Sequence, residues 1–143
     1  MRQILNVKAR QVFDSRGNTT VEAEVYTKNI SATAICPSGA STGTYEAFEK
    51  RDKNNKRYLG KSVFSAVNLV NSKISKKLKG QNVHNQERID ALLINLDGTR
   101  QKTNLGANAM LAVSMAVKKL SAKIKKLPLY KTFSVKKNFQ LPY

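Results

Sequence analysis

The sequence predicts an α+β domain: a three-stranded antiparallel meander followed by a group of helices. Three observations carry this. Apolar residues alternate along 20–26 and again along 30–36, the period of a half-buried strand. They recur every three to four residues along 63–78, 89–96 and 107–124, the period of a helix. All strand-like segments come before all helix-like ones.

Residues 4–13 hold Ile4, Val7, Val12 and Phe13 and read as extended. Asp14-Ser15-Arg16-Gly17-Asn18 is a run of turn formers. In the second strand Val21, Ala23 and Val25 share one face, with Glu22, Glu24 and Tyr26 opposite. Lys28-Asn29 makes a two-residue turn, and Ile30, Ala32, Ala34 and Cys36 line one face of the third strand. Pro37 ends the strands. The segment 37–43 (Pro-Ser-Gly-Ala-Ser-Thr-Gly) has no side chain large enough to pack a core and is expected to be a mobile surface loop.

Val63, Phe64, Val67, Val70, Ile74 and Leu78 predict a first helix, stopped by Gly80. Ile89, Leu92, Leu93 and Leu96 predict a shorter one. The third, over 107–124, is rich in alanine and permits close packing. A short element around 129–133 and an irregular tail complete the chain.

The 143 residues suit one domain, large enough to bury a core. A single Cys and a single His exclude a disulfide framework and a zinc site built from Cys and His. No stretch approaches the ~18 consecutive apolar residues of a membrane-spanning helix. Residues 1–8 lack the apolar core of a signal peptide, so a reducing cytoplasm is the expected compartment.

The net charge of +17, from 26 basic and 9 acidic residues, argues for a nucleic-acid or other anionic partner. The excess is mainly Lys, accompanied by abundant Asn, as an AT-rich coding sequence would produce. In the second half of the chain Lys73, Lys76, Lys77, Lys79, Lys118, Lys119, Lys123, Lys125 and Lys126 fall on helical patterns, where long cations cover solvated faces. No zinc-finger or RNA-binding signature accompanies it, and the aromatics do not interleave with basic residues. A stand-alone basic module binding RNA or a protein is therefore the alternative reading, not the first.

The small-residue loop is the feature nearest to chemistry. Its glycines let a backbone approach a phosphate or a metal, and Ser41 or Thr42 can offer an oxygen. Composition alone favours a plain connector. Glu46, Glu49 and Asp52 follow; on a helix the first two would share a face, more often solvated than cation-binding. His84 is expected at a surface or helix entry, and Cys36 in core packing.

In order and spacing, a set of motifs resembles enolase, the phosphopyruvate hydratase family. They are Ala9-Arg10, Asp14-Ser15-Arg16-Gly17-Asn18, Thr20-Val21-Glu22, the 37–43 loop, Tyr45-Glu46-Ala47, Arg51-Asp52 and Tyr58-Leu59-Gly60-Lys61. Further on come Leu96-Asp97-Gly98-Thr99, Leu105-Gly106-Ala107-Asn108-Ala109, Ser114 with Ala116, and Pro128-Leu129-Tyr130.

The resemblance covers that family's bacterial-type N-terminal domain, here residues 1–138, with 139–143 starting the link to the first strand of a barrel. The barrel, which typically needs ~250 residues, carries the family's base, acid and metal carboxylates and lies outside this sequence. The reaction implied is reversible dehydration of 2-phosphoglycerate to phosphoenolpyruvate in glycolysis, with Mg²⁺ as cofactor. This chain alone is expected to be inactive.

The resemblance makes Ser38, Gly39, Ala40, Ser41, Thr42 and Gly43 a lid over substrate, with Ser41 a ligand to a second Mg²⁺. It places Arg10 and Glu22 at the interface of a homodimer, and it extends to a cell-surface or secreted fraction. Thr19 departs from the family, which usually has Pro there; without the ring the turn is expected to be less rigid.

Overall fold

The computed structural model describes residues 2–39, 43–54 and 56–133. Strands β1 (Asn6–Phe13), β2 (Thr19–Tyr26) and β3 (Ser31–Cys36) form an antiparallel sheet in the order β1-β2-β3. This is the expected meander. Its register places Val7, Val25 and Ala32 side by side, then Ala9, Ala23 and Ala34, then Gln11, Val21 and Cys36. These rows face the helices, and Val21, Ala23 and Val25 are fully buried. A slip of one residue would turn the apolar set outward, so burial itself fixes the register.

Asp14 sets the first turn. Its N–H donates to the Asn18 carbonyl at 2.8 Å, and its carboxylate accepts from the N–H groups of Arg16 and Asn18, both at 2.9 Å. Gly17 takes the positive φ of +74° this turn requires. The Lys28-Asn29 turn is closed by the Thr27 N–H on the Ile30 carbonyl at 2.9 Å. Ile4, expected at the start of the first strand, pairs elsewhere: it donates to Gln81 O at 2.9 Å and accepts from Gly80 N at 2.8 Å. The N-terminal residues thus close the far side of the helical layer, and β1 begins at Asn6.

The helix predicted over 63–78 is one helical length in three pieces: α1 (Phe64–Leu69), a π turn (Val70–Ile74) and α2 (Ser75–Leu78). The Ser72 hydroxyl donates to the Asn68 carbonyl at 2.6 Å, the kind of side-chain intrusion that loosens a helix. Asn71, within the π turn, then meets the outer edge of β1. The Ala9 N–H donates to Asn71 Oδ1 at 2.7 Å, and Asn71 Nδ2 donates to Ala9 O at 3.1 Å. Ser75 Oγ accepts from the Val7 N–H at 3.3 Å. Two helix side chains therefore cover an edge that would otherwise be open.

Helix α3 (Gln86–Asp97) starts at Asn85, whose side chain accepts from the Arg88 N–H at 3.1 Å. Helix α4 (Ala107–Ile124) matches its predicted span and lies across β2 and β3, with α3 beside it. Ala109, Ala112 and Ala116 are fully buried, and the sheet offers Ala23 and Ala34. Small residues on both sides bring helix and sheet close and leave little room for larger ones. Short 3-10 turns lie at Tyr58–Gly60 and Leu129–Thr132. The expected boundary at residue 138 lies outside the described residues.

Candidate functional site

Between β3 and α1 the chain forms a loop with two anchored stems. On the first, Ser38 Oγ donates to Glu49 Oε2 at 2.6 Å, and Arg16 Nη2 donates to the Ser38 carbonyl at 2.8 Å. On the second, the Gly43 N–H donates to Glu46 Oε2 at 2.9 Å, and the Glu46 N–H returns to the Gly43 carbonyl at 3.1 Å. Ser38, Gly39 and Gly43 are thus the described members of the expected lid. Ala40, Ser41 and Thr42, including the expected Mg²⁺ ligand, lie outside the described residues.

The chain after the loop is irregular, neither helix nor strand, where a helix would have put Glu46 and Glu49 on one face. Its backbone groups are taken sideways by distant segments. Phe48 N donates to Gln101 O at 2.8 Å, Ala107 N to Phe48 O at 2.8 Å, and Asp52 N to Ser62 O at 2.9 Å. The Lys50 peptide is gripped by the buried Asn108 amide, with Lys50 N to Oδ1 at 3.1 Å and Nδ2 to Lys50 O at 3.0 Å. Gly106 passes so close that a Cβ there would lie 2.5 Å from Lys50 Cβ, at a φ of +92°. The strap ends at Asp52, whose carboxylate caps α1 by accepting from Phe64 N at 3.0 Å and Ser65 N at 2.9 Å. Burial alone would raise the Asp52 carboxyl, but the hydrogen bonds from Ser65, Ser62 and Phe64 outweigh it and hold it below the usual range.

The same balance holds behind the strap. Asp97 is buried; burial works to raise it, and the N–H of Leu105 with the Thr99 hydroxyl and N–H bring it below the usual range instead. The Leu105 N–H donates to it at 2.7 Å, tying the α3–α4 connection into a rigid seat for the strap.

Arg51 joins strap to sheet. Its guanidinium donates to Glu49 Oε1 at 2.7 Å, to Thr19 O at 3.2 Å and to the Lys61 carbonyl. The buried Thr19 hydroxyl donates to that Lys61 carbonyl as well. Thr19, at the turn expected to be less rigid, is therefore bonded into the strap's anchor.

Arg10 and Glu22 are cross-strand neighbours on the sheet face away from the helices. Arg10 Nε reaches Glu22 Oε1 at 2.5 Å, and its Nη2 reaches Glu24 Oε2 at 2.6 Å. The interface expectation is thus two residues already paired within the chain, with the guanidinium half exposed.

Among the described residues no three His, Cys, Asp or Glu stand together as a metal site. The carboxylates nearest the loop are engaged: Glu46 by Gly43, Glu49 by Ser38 and Arg51. The donor set of the described residues does not fit a bound Mg²⁺. His84, at the entry to α3, has its Nδ1 2.8 Å from Ser121 Oγ. Cys36 is half-buried, and burial together with Glu49 pushes its thiol up to about 11. Neither is poised as a nucleophile or base. Among the described residues no helix is long and apolar enough to cross a membrane.

The sequence reading identified the loop but not what holds it. Arg16, Asn108 and Gly106 stand in the motifs above and Glu49 was expected on a solvated face, yet only their tertiary partners show their use.

Fold and site together define an α+β domain that carries a small-residue loop on two fixed stems at one end of its sheet. Residues 4–133 match the family model described as "Enolase, N-terminal domain", and the chain belongs to that family. It is 78% identical over its whole length to an enolase of Pelagibacter ubique, covering 34% of that protein. It is 54% identical over 140 residues to an enolase of Methanococcus maripaludis and 51% identical over 140 residues to one of Methanosarcina mazei, covering 33% of each. The chain spans about a third of the length of these relatives.

Proposed function

We propose that this chain serves the reversible dehydration of 2-phosphoglycerate to phosphoenolpyruvate, as the N-terminal domain of an enolase. Its part is to carry residues 38–43 as the lid over substrate. The observation that supports this is the anchoring of both stems: Ser38 by Arg16 and Glu49, Gly43 by Glu46. Fixed stems let a short segment between them close on a ligand while the strap beneath stays put, excluding water from the reacting groups.

Enolases are generally magnesium-dependent. The metal contact in this proposal rests on Ser41 alone, since the described carboxylates nearest the loop, Glu46 and Glu49, are engaged in holding its stems. Base, acid and remaining ligands come from elsewhere in the enzyme, so the chain by itself turns over no substrate. The Arg10–Glu22 pair sits on the proposed dimer face, and the cytoplasm is the proposed compartment.

The test is a chimera in which this chain replaces the matching third of the Pelagibacter ubique relative. Formation of phosphoenolpyruvate is followed by its ultraviolet absorbance. The expected result is Mg²⁺-dependent turnover by the chimera, none by the chain alone, and a loss of at least about tenfold with Ser41→Ala. An inactive but folded chimera, or Ser41→Ala activity equal to the parent, would overturn the reading.

A further inference from the structure

Below the first stem of the loop lies a cleft of about 300 Å³ lined by Arg16, Asn18, Ser38, Gly39, Arg51 and Lys61. Three of its six lining residues are cationic and none is acidic.

The nearby carboxylates are turned to other partners. Glu49 gives one oxygen to Arg51 and the other to Ser38. Asp14 accepts the N–H groups of its own turn and also feels the charges of Arg16 and Arg51, though it makes no hydrogen bond to either guanidinium. Glu49 therefore balances Arg51, which is further committed to the carbonyls of Thr19 and Lys61. Arg16 and Lys61 have no described carboxylate within ion-pair distance. Arg16 uses only Nη2 on described partners, the carbonyls of Ser38 at 2.8 Å and Gly39 at 3.5 Å. Lys61 Nζ meets one described acceptor, Asn18 Oδ1, at 3.1 Å. A planar fork and an ammonium, both with donors to spare across one concave space, are the arrangement that holds a phosphate.

We propose that this cleft is an oxyanion site that binds a phosphate group between Arg16 and Lys61. It is separate from the metal contact assigned to Ser41 and does not depend on it. Because Arg16 also holds the Ser38 carbonyl, an occupant would stiffen the first stem of the loop.

The test is titration of the isotopically labelled chain with inorganic phosphate at low ionic strength, read by amide chemical shifts. The expected result is saturable movement centred on Arg16, Asn18, Gly39 and Lys61. Arg16→Gln and Lys61→Gln should each weaken the Kd by about tenfold, as loss of one charge-assisted donor does. Lys76→Gln, a surface lysine on α2, should leave it unchanged. A parallel titration with glycerol phosphate separates sources: binding of both marks a phosphate group carried by a metabolite, and inorganic phosphate alone marks the free ion. Either supports the site. Non-saturable shifts, shifts spread over the lysines of α4, or equal loss with Lys76→Gln would overturn it.

Discussion

Asn108 and Lys50 are joined twice, amide nitrogen to peptide carbonyl at 3.0 Å and peptide nitrogen to amide carbonyl at 3.1 Å. A buried side-chain amide thereby completes the backbone bonding of a strap 58 residues earlier in the chain. Asn108→Ala removes both bonds and leaves a part-buried peptide without its partner, at a cost of about 1–3 kcal/mol. Urea unfolding measures the loss, and amide exchange should accelerate at Lys50 while the β2 core stays protected. Unchanged exchange at Lys50 would show that the strap is held some other way.

Two glycines should respond very differently to alanine. At Gly106 the new methyl would lie 2.5 Å from Lys50 Cβ and 2.7 Å from Asn108 Oδ1, at a φ that side chains rarely adopt. Gly106→Ala is expected to cost more than about 2 kcal/mol. Gly43→Ala meets nothing within 4 Å and should stay within about 1 kcal/mol of the parent. Thermal unfolding of both variants checks the contrast.

His84 makes stability depend on pH in a stated direction. Burial, reinforced by the charges of Lys125 and Arg2, holds its imidazole below the ordinary value. Above about pH 6.5 both folded and unfolded forms are neutral, and the full stability is present. As pH falls, the unfolded chain takes the proton first, so stability is lost down to the lower folded pKa. Urea midpoints at about pH 7.5 and about pH 5.5 should differ in the parent and differ less in His84→Asn. An equal difference in both would assign the slope to other groups.

The Cys36 thiol, pushed up to about 11, is almost entirely protonated at physiological pH. Alkylation near pH 8 should run roughly a hundredfold slower in the folded chain than in urea. Glu49→Gln removes the neighbouring charge and should quicken it modestly. Labelling at the same rate in both states would contradict the burial described for this residue.

The Arg10 bridge to Glu22 and Glu24 lies on an exposed face, with the Arg10 side chain 54% accessible. Within a single chain Arg10→Ala should therefore cost less than about 1 kcal/mol, and less still at high salt. A loss of several kcal/mol in denaturant titrations at low protein concentration would mean that the pair does more than decorate the sheet.

Strands and helices were legible because their apolar residues repeat with the period of the element, and α4 runs over the span its spacing predicts. The strap was not. Residues 46–52 have no period, because the backbone groups of Phe48, Lys50 and Asp52 bond to separate segments elsewhere in the chain. Asn71, Asp97 and Asn108 read locally as ordinary polar positions, and only the fold reveals that each one satisfies peptide groups elsewhere. The loop was visible by composition, while its anchors lie 22 residues before Ser38, at Arg16, and 11 residues after it, at Glu49. The π turn was hidden too, since Val70 and Ile74 keep the four-residue spacing across it.

The Asn71–Ala9 clasp has a consequence for self-association. A carboxamide presents the same donor and acceptor as a peptide unit, so β1 meets in Asn71 a one-residue imitation of a fourth strand. An imitation has no chain direction and no far edge of its own, and so cannot template another copy. Sheet extension of the kind that seeds cross-β fibrils is blocked on that side by a helix side chain. Asn71→Ala should open it, and concentration-dependent light scattering on prolonged warming would show whether the clasp keeps other chains from adding to that edge.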